Sequence, residues 1–596
     1  MRTKRYMKCT SLLGLALLVA TVFACGKQTP EGPKPAPKTP TAVTGAQKTV
    51  AIPDPPPLTV PDLAVAVRVN RFDQLLPKVA ALASQIMPSI TADALKAQLG
   101  AAVQDPTLAG LDQTRSAMLC VFDPPGRREA DPTGSREPVV VGLLPVTSDQ
   151  YKTKLQGMPN TYVYQKEGGK TLLLAQNEAA AVSGRQALDQ LDPLLAQPMN
   201  SDLSVYVNVE LLMTRHAADI EAAFKQMTEM MEQIQQMGPP RGGPDTTFFT
   251  MLMRCLLGVG KEVRDLGVDL TLTKDGLELG GTSRAKAGTA LAKALDQPIV
   301  PDTSLLAYVP GTGSIIGFDG GDNFKAADYF AAKLDEAFAA TTGPAASKIK
   351  VADIKAAMVE PMRLSRATAF DILGTSGGTI NGVSIVEITD PAAYLNTLRN
   401  TAKNMKAMGT DATVAFKENA RNYKGTPIHQ MVLDINIPQQ AEMPPFMAPI
   451  LKALTHMESE IAVVGNYVIQ DMGGKRIDAV IDALKAKKPL WTPSLNAQAI
   501  FPKEGTLYMD ILPGRLVAWG VQVAQPFLGP MLSAMGPEGE AMLARFKTLQ
   551  TKPISIYGAV NQGKVQLRIN VPIDPVIKIK ALFAMPGPGA TPPKPL

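Results

Sequence analysis

The chain has 596 residues, 45% apolar and 19% charged, with 60 Lys and Arg against 54 Asp and Glu. That size and apolar content support two or more domains with true cores, and near-balanced charge without a Lys/Arg run excludes the electrostatic footprint of nucleic-acid binding. Aromatic residues reach only 5%, and 27 methionines stand in for part of the missing bulk.

Taken in chain order, residues 2–8 carry Arg2, Lys4, Arg5 and Lys8 and no acid, and residues 11–24 are rich in Leu, Val and Ala. The run is shorter than the about 20 residues needed to span a bilayer, so residues 1–24 read as a secretory signal. Val22-Phe23-Ala24-Cys25 resembles the lipobox of bacterial lipoproteins, although Phe23 is bulkier than that pattern usually has. The resemblance implies that Cys25 is lipidated, becomes the first mature residue and anchors the chain to a membrane of the bacterial envelope. Gly26 in place of Asp resembles outer-membrane sorting. Loss of the signal removes four positive charges, leaving 56 basic against 54 acidic residues and a net charge of +2. Nine prolines between Gly26 and Pro57 predict a tether over residues 25–60, able to hold the body on the order of 100 Å from the lipid if extended as polyproline II. The proline-rich residues 586–596 predict a disordered tail.

Four segments begin as an apolar strand and run into a helix: 62–69 into 72–87, 202–209 into 211–237, 303–309 into 324–340, and 506–512 into 516–535. Strand pairs at 266–272 with 276–283, and at 554–560 with 564–571, alternate in polarity around Lys274-Asp275-Gly276 and Asn561-Gln562-Gly563, which is the pattern of a hairpin. The second and fourth units each break their helices with a Gly/Pro stretch, at 238–244 and 536–539. The first and third continue through strand, loop, strand and helix, at 117–122, 138–144 and 150–155 and at 369–373, 382–388 and 391–405. These correspondences predict two tandem pseudo-repeated halves, 61–298 and 299–585. The fold class expected is α+β, with antiparallel sheets and helices packed mainly on one face. Val60-Pro61-Asp62-Leu63 and Val300-Pro301-Asp302-Thr303-Ser304-Leu305 resemble the opening of the DUF3352-type envelope proteins, a family that implies no activity.

Motifs that could carry chemistry weaken in context. Gly374-Thr375-Ser376-Gly377-Gly378 fits the G-x-S-x-G expression, but a nucleophile elbow needs a helix after the serine, and another strand follows at 382–388. Gly168-Gly169-Lys170-Thr171 resembles the end of a P-loop, yet residue 164 is Tyr where its first glycine belongs; a turn between 162–165 and 172–175 is expected. Gly473-Gly474-Lys475-Arg476 joins a strand at 461–470 to a helix at 477–487, where backbone N–H groups could hold an anion, although a plain turn leads. Gly311-Thr312-Gly313-Ser314-Ile315-Ile316-Gly317 reads as loop. His216, His429 and His456 lie in no metal-ligand spacing, and Asp319, Asp322 and Asp328 lack EF-hand spacing. Cys120 and Cys255 sit in strand-like and helix-like contexts, and two separately buried thiols lead over a disulfide.

The clearest amphipathic stretch is 222–237, where Phe224, Met227, Met230, Met231, Ile234 and Met237 recur at helical spacing; with the apolar 248–259 it predicts a helical hairpin. Methionine suits irregular cores and adaptable binding surfaces alike, so core packing leads and a groove for an acyl chain or partner helix is the alternative. The function expected is a lipid-anchored, non-enzymatic binding or scaffolding protein with no cofactor or metal, whose partners are the membrane and an envelope protein or lipid. A carrier of apolar ligands and an enzyme with a dispersed site stand as alternatives.

Overall fold

The computed structural model describes residues 60–583, apart from 103–104, 106, 126–138, 157–160, 238–245, 297–302, 321–323, 341–349, 374–380, 402, 404, 406–411, 436–454, 474–475 and 492–504. The expected signal, Cys25, the tether up to residue 59, the tail and Gly374 to Gly378 lie outside the described residues.

The chain is α+β. Its strands are β1 (Leu63–Val69), β2 (Ala117–Phe122), β3 (Val139–Pro145), β4 (Tyr162–Gln165), β5 (Thr171–Ala175), β6 (Leu203–Val207), β7 (Val263–Thr273), β8 (Gly276–Ala285) and β9 (Ile315–Gly320), followed by β10 (Ser365–Ile372), β11 (Gly382–Ile388), β12 (Ala412–Tyr423), β13 (Thr426–Ile435), β14 (His456–Val464), β15 (Tyr467–Met472), β16 (Gly505–Ile511), β17 (Ile554–Asn561) and β18 (Lys564–Pro572). All pair antiparallel in one sheet, in the spatial order β4-β5-β3-β2-β1-β6-β7-β8-β18-β17-β16-β9-β10-β11-β15-β14-β13-β12. Outward from the β8/β18 joint, both sides follow one connection pattern: β8-β7-β6-β1-β2-β3-β5-β4 on one and β18-β17-β16-β9-β10-β11-β15-β14 on the other.

Turn chemistry sets these registers. Gln562 and Gly563 both take positive φ between β17 and β18, as do Lys424 and Gly425 between β12 and β13, the geometry that matches the twist of paired strands. The expected single strand at 461–470 is instead the hairpin β14–β15, turning at Gly465 (φ 60°); glycine there lets the chain reverse inside an otherwise continuous apolar run.

The expected strand at 303–309 is also corrected. Thr303–Tyr308 is a 3₁₀ helix that buries Leu305 and Leu306, and the strand is β9, which begins inside the stretch 311–317 read as loop. Ile316 and Phe318 give β9 a buried face, and its glycines permit close neighbours: a Cβ on Gly317 would stand 2.3 Å from the Phe370 ring.

Cores form on both faces of the outer strands. On one, helix Glu178–Ala196 sets Leu188, Leu191 and Leu195 against Val141, Leu143 and Leu173, and helix Ile477–Ala486 sets Ile477, Val480 and Ile481 against Phe318, Ile385 and Ile469. On the other, Leu144 and Leu172 meet Tyr151 and Leu155 of helix Gln150–Gln156, and Val386 and Ile388 meet Tyr394, Leu395 and Leu398 of helix Pro391–Arg399. The expected helical hairpin is Val209–Met237 with Thr246–Glu262. Its second helix packs Met251 and Cys255 on Ala327, Ala331 and Leu334 of helix Phe324–Ala339. Cys120 belongs to the first core and Cys255 to this one; both are free and buried, and burial pushes the Cys120 thiol up to about 12.

Candidate functional site: the inverted centre of the sheet

Alternation in a half-buried strand normally turns aliphatic side chains inward and polar ones outward. The central strands do the reverse. In β7, β8, β16 and β17, Asp265, Thr282, Arg284, Asp510 and Ser555 are only 1–7% exposed, whereas Leu266, Val268, Leu279, Val565 and Leu567 of β7, β8 and β18 are 36–48% exposed.

Register assigns these two sets to opposite faces, because directly opposed residues of an antiparallel pair project the same way. Asp265 opposes Arg284, and their side chains meet at 2.6 Å, with Arg264 at 2.8 Å on the other oxygen. Two strands further along the same face, Ser555 Oγ donates to Asp510 at 2.6 Å and the Tyr508 hydroxyl donates to its other oxygen. Arg568 lies between, 3.0 Å from Glu278 and 3.3 Å from the Tyr557 hydroxyl. Burial raises the Asp510 carboxyl above its ordinary range, opposed by these two donors, and raises the Tyr508 hydroxyl also. The polar groups answer one another within the sheet, as buried charge requires.

The other face is aliphatic, in rows that cross the strands. One runs Val205, Val268, Gly281, Leu567, Gly558 and Leu507 through β6, β7, β8, β18, β17 and β16. The next runs Leu203, Leu270, Leu279, Ile569, Ile556 and Met509 over the same strands. At the β7–β8 turn this face is closed by Val79 and Leu82 of helix Phe72–Ser84 and by Ile577 of helix Asp574–Phe583, which pack on Leu272 and Leu277. Beyond that cover the five aliphatic residues stand open.

The expected apolar groove is only partly described. Phe224 and Met227 are half-buried and Met230 is exposed, while the side chains of Met231, Ile234 and Met237 lie outside the described residues although their backbone is helical. The other motifs resolve into structural roles. Gly168 (φ 69°) turns β4 into β5. The anion position before helix Ile477–Ala486 is filled by Asp471, which accepts from the backbone N–H of Arg476 and Ile477 at 2.7 and 3.0 Å. His216 meets Asp123 at 2.9 Å, His456 meets Asp434 at 2.6 Å, and His429 stacks on Phe416. Asp319 is exposed on β9, and Asp328 pairs with Arg363. Among the described residues, no group of three His, Cys, Asp or Glu could hold a metal and no helix is long and apolar enough to cross a membrane. A cavity of about 160 Å³ lies away from the central face, lined by Asp105, Tyr151 and Lys154.

The sequence reading missed the inversion, although a signal existed. The turn at 274–275 fixes a register that opposes Asp265 to Arg284, and an opposed acid–base pair marks the face that can be buried with its charges paired. Comparison with protein-family models, curated proteins and solved structures finds no match to this chain.

Proposed function

We propose that this chain is a lipid-anchored, non-enzymatic binding or scaffolding protein of the bacterial cell envelope, and that the open aliphatic face of β7, β8, β18, β17 and β16 is its binding surface. The observation that carries the reading is the inversion: aliphatic residues 36–48% exposed at the middle of a wide sheet, where a contiguous apolar patch marks an interaction site. The polar face supports a non-enzymatic role, since Asp510, Asp265 and their neighbours are engaged with one another. The recurring strand order is read as the product of a duplication, with the binding surface lying across the joint of the copies.

A carrier of apolar ligands is the second reading, favoured by the aliphatic make-up of this face. It calls for a continuous apolar site, either a cavity on the order of 300–1,000 Å³ between helix and sheet or, on this reading, the open face itself; the cavity at Tyr151, of about 160 Å³, is smaller and lies elsewhere. Anchoring is tested by fractionating cells that express the chain or its Cys25→Ala variant. The wild type should enter the membrane fraction with a lipid mass on its N-terminal peptide, and the variant should be soluble and folded. A soluble wild type without lipid overturns the anchored reading.

A further inference from the structure

From the geometry of the central face we infer that its occupant is one extended acyl chain of a free lipid, lying across the strands along the row Val268, Gly281, Leu567, Gly558 and Leu507. The inference deepens the binding reading and rests on this face being the binding surface; it does not depend on Cys25.

Three observations select an acyl chain. The first is shape. In this row glycines at β8 and β17 alternate with Val268, Leu567 and Leu507, and the row beside it holds Leu270, Leu279, Ile569, Ile556 and Met509. The missing side chain at Gly281, between the exposed Val268 and Leu567, leaves a notch in an otherwise aliphatic surface, whereas Gly558 is buried and a Cβ there would stand 3.2 Å from Leu507. A Cβ placed on Gly281 would meet nothing closer than Leu567 at 3.9 Å, so the notch is open space and not a close approach of backbone. The three strands that carry the exposed residues, β7, β8 and β18, span about 10 Å at the usual spacing, the extended length of about eight carbons of an acyl chain.

The second is chemistry. The two rows offer only Leu, Val, Ile, Met and Gly, without the aromatic and arginine anchors that dominate protein interfaces. The third is topology and area. Every strand here is hydrogen-bonded on both sides, so a peptide cannot add as a further strand. The five exposed residues leave roughly 330 Å² to cover, well short of the about 800 Å² per partner of a stable dimer. The next position after Leu507 is the exposed Asp319, where the aliphatic run stops.

The test uses the full chain and a fluorescent polyene fatty acid of eighteen carbons. Saturable one-to-one binding is expected. Gly281→Val, which fills the notch, and Leu567→Lys, which charges an exposed position, should each weaken it at least tenfold without changing the melting temperature. If Gly281→Val fails to fold, Leu567→Lys decides. The inference is overturned by absence of saturable binding, by binding that survives both substitutions, or by a dimer that Leu567→Lys dissolves while no probe binds. Binding that appears only after Cys25→Ala would put the chain's own lipid on the face and overturn the assignment to a free one. Fractionation reads the anchor and this titration reads the face, so either can fail alone.

Discussion

Replacing Asp471 tests whether the carboxylate, and not an outside anion, completes helix Ile477–Ala486. Its Oδ2 accepts from the N–H of Arg476 at 2.7 Å and of Ile477 at 3.0 Å, and the Arg476 guanidinium stands 3.6 Å from Oδ1. Asp471 and Ile477 are fully buried, so water is a poor substitute partner. Asp471→Ala leaves two N–H donors without this acceptor, at about 1–3 kcal/mol each if buried; partial relaxation brings the expected loss to about 2–4 kcal/mol, at or above the upper range for an ordinary helix cap. Asp471→Asn keeps one acceptor oxygen and should cost about 1 kcal/mol. The assay is native-state amide exchange, which reads local opening where a chain of this size need not unfold in one step. A loss of 2 kcal/mol accelerates exchange at residues 476 and 477 about thirtyfold. Exchange within threefold of the wild type in Asp471→Ala would refute the reasoning and return the Gly473 turn to consideration as a site for an external anion.

Two further outcomes follow from geometry already described. His456 has a raised pKa through its hydrogen bonds to Asp434 and then Glu458, whereas burial lowers that of His429 beside Phe416. The His456 contribution to stability is therefore full below the ordinary value of 6.5 and lost as pH rises through its folded pKa. That of His429 is full above 6.5 and lost as pH falls through its folded pKa. Imidazole NMR titration should place His456 above 6.5 and His429 below; the reverse order would contradict both environments. Gly276→Ala should destabilise the β8/β18 joint by several kcal/mol, because φ is 155° and a Cβ would stand 2.1 Å from the Val571 carbonyl oxygen; a variant melting with the wild type would show that the joint moves apart freely.

Local patterns were legible where one signal dominated. The hairpins β7–β8 and β17–β18 followed from period-2 alternation around Lys274-Asp275-Gly276 and Asn561-Gln562-Gly563, and the helical pair from methionines at helical spacing over 222–237 and the apolar stretch 248–259. Reading failed where two signals competed. Leu305, Leu306 and Val309 are as apolar as a strand, but they fill a core from a 3₁₀ turn while Ile315 to Gly320 takes the sheet position among glycines that suggested loop. The β12–β13 hairpin escaped because β12 carries Lys417, Glu418, Arg421 and a bulge, features of an edge strand protected from further pairing.

The candidate site was missed for a deeper reason. Alternation tells which residues share a face but not which face is covered, and the usual assumption that the aliphatic face is inside supplies that missing bit. In the central strands the assumption reverses, and the reversal is energetically coherent only because the polar face is self-sufficient. Asp265 has Arg284 and Arg264, Asp510 has Tyr508 and Ser555, and Arg568 has Glu278 and Tyr557. Breaking one such pair leaves a buried charge or donor short of its partner, so the pairing offsets the desolvation that burying this face costs. Among the described residues, nothing covers the five open aliphatic side chains. Covering their roughly 330 Å² would return about 8 kcal/mol of gross transfer free energy, of the same order as the about 4–15 kcal/mol that association costs. A surface of that size favours a small, flexible apolar ligand held reversibly over a permanent protein partner.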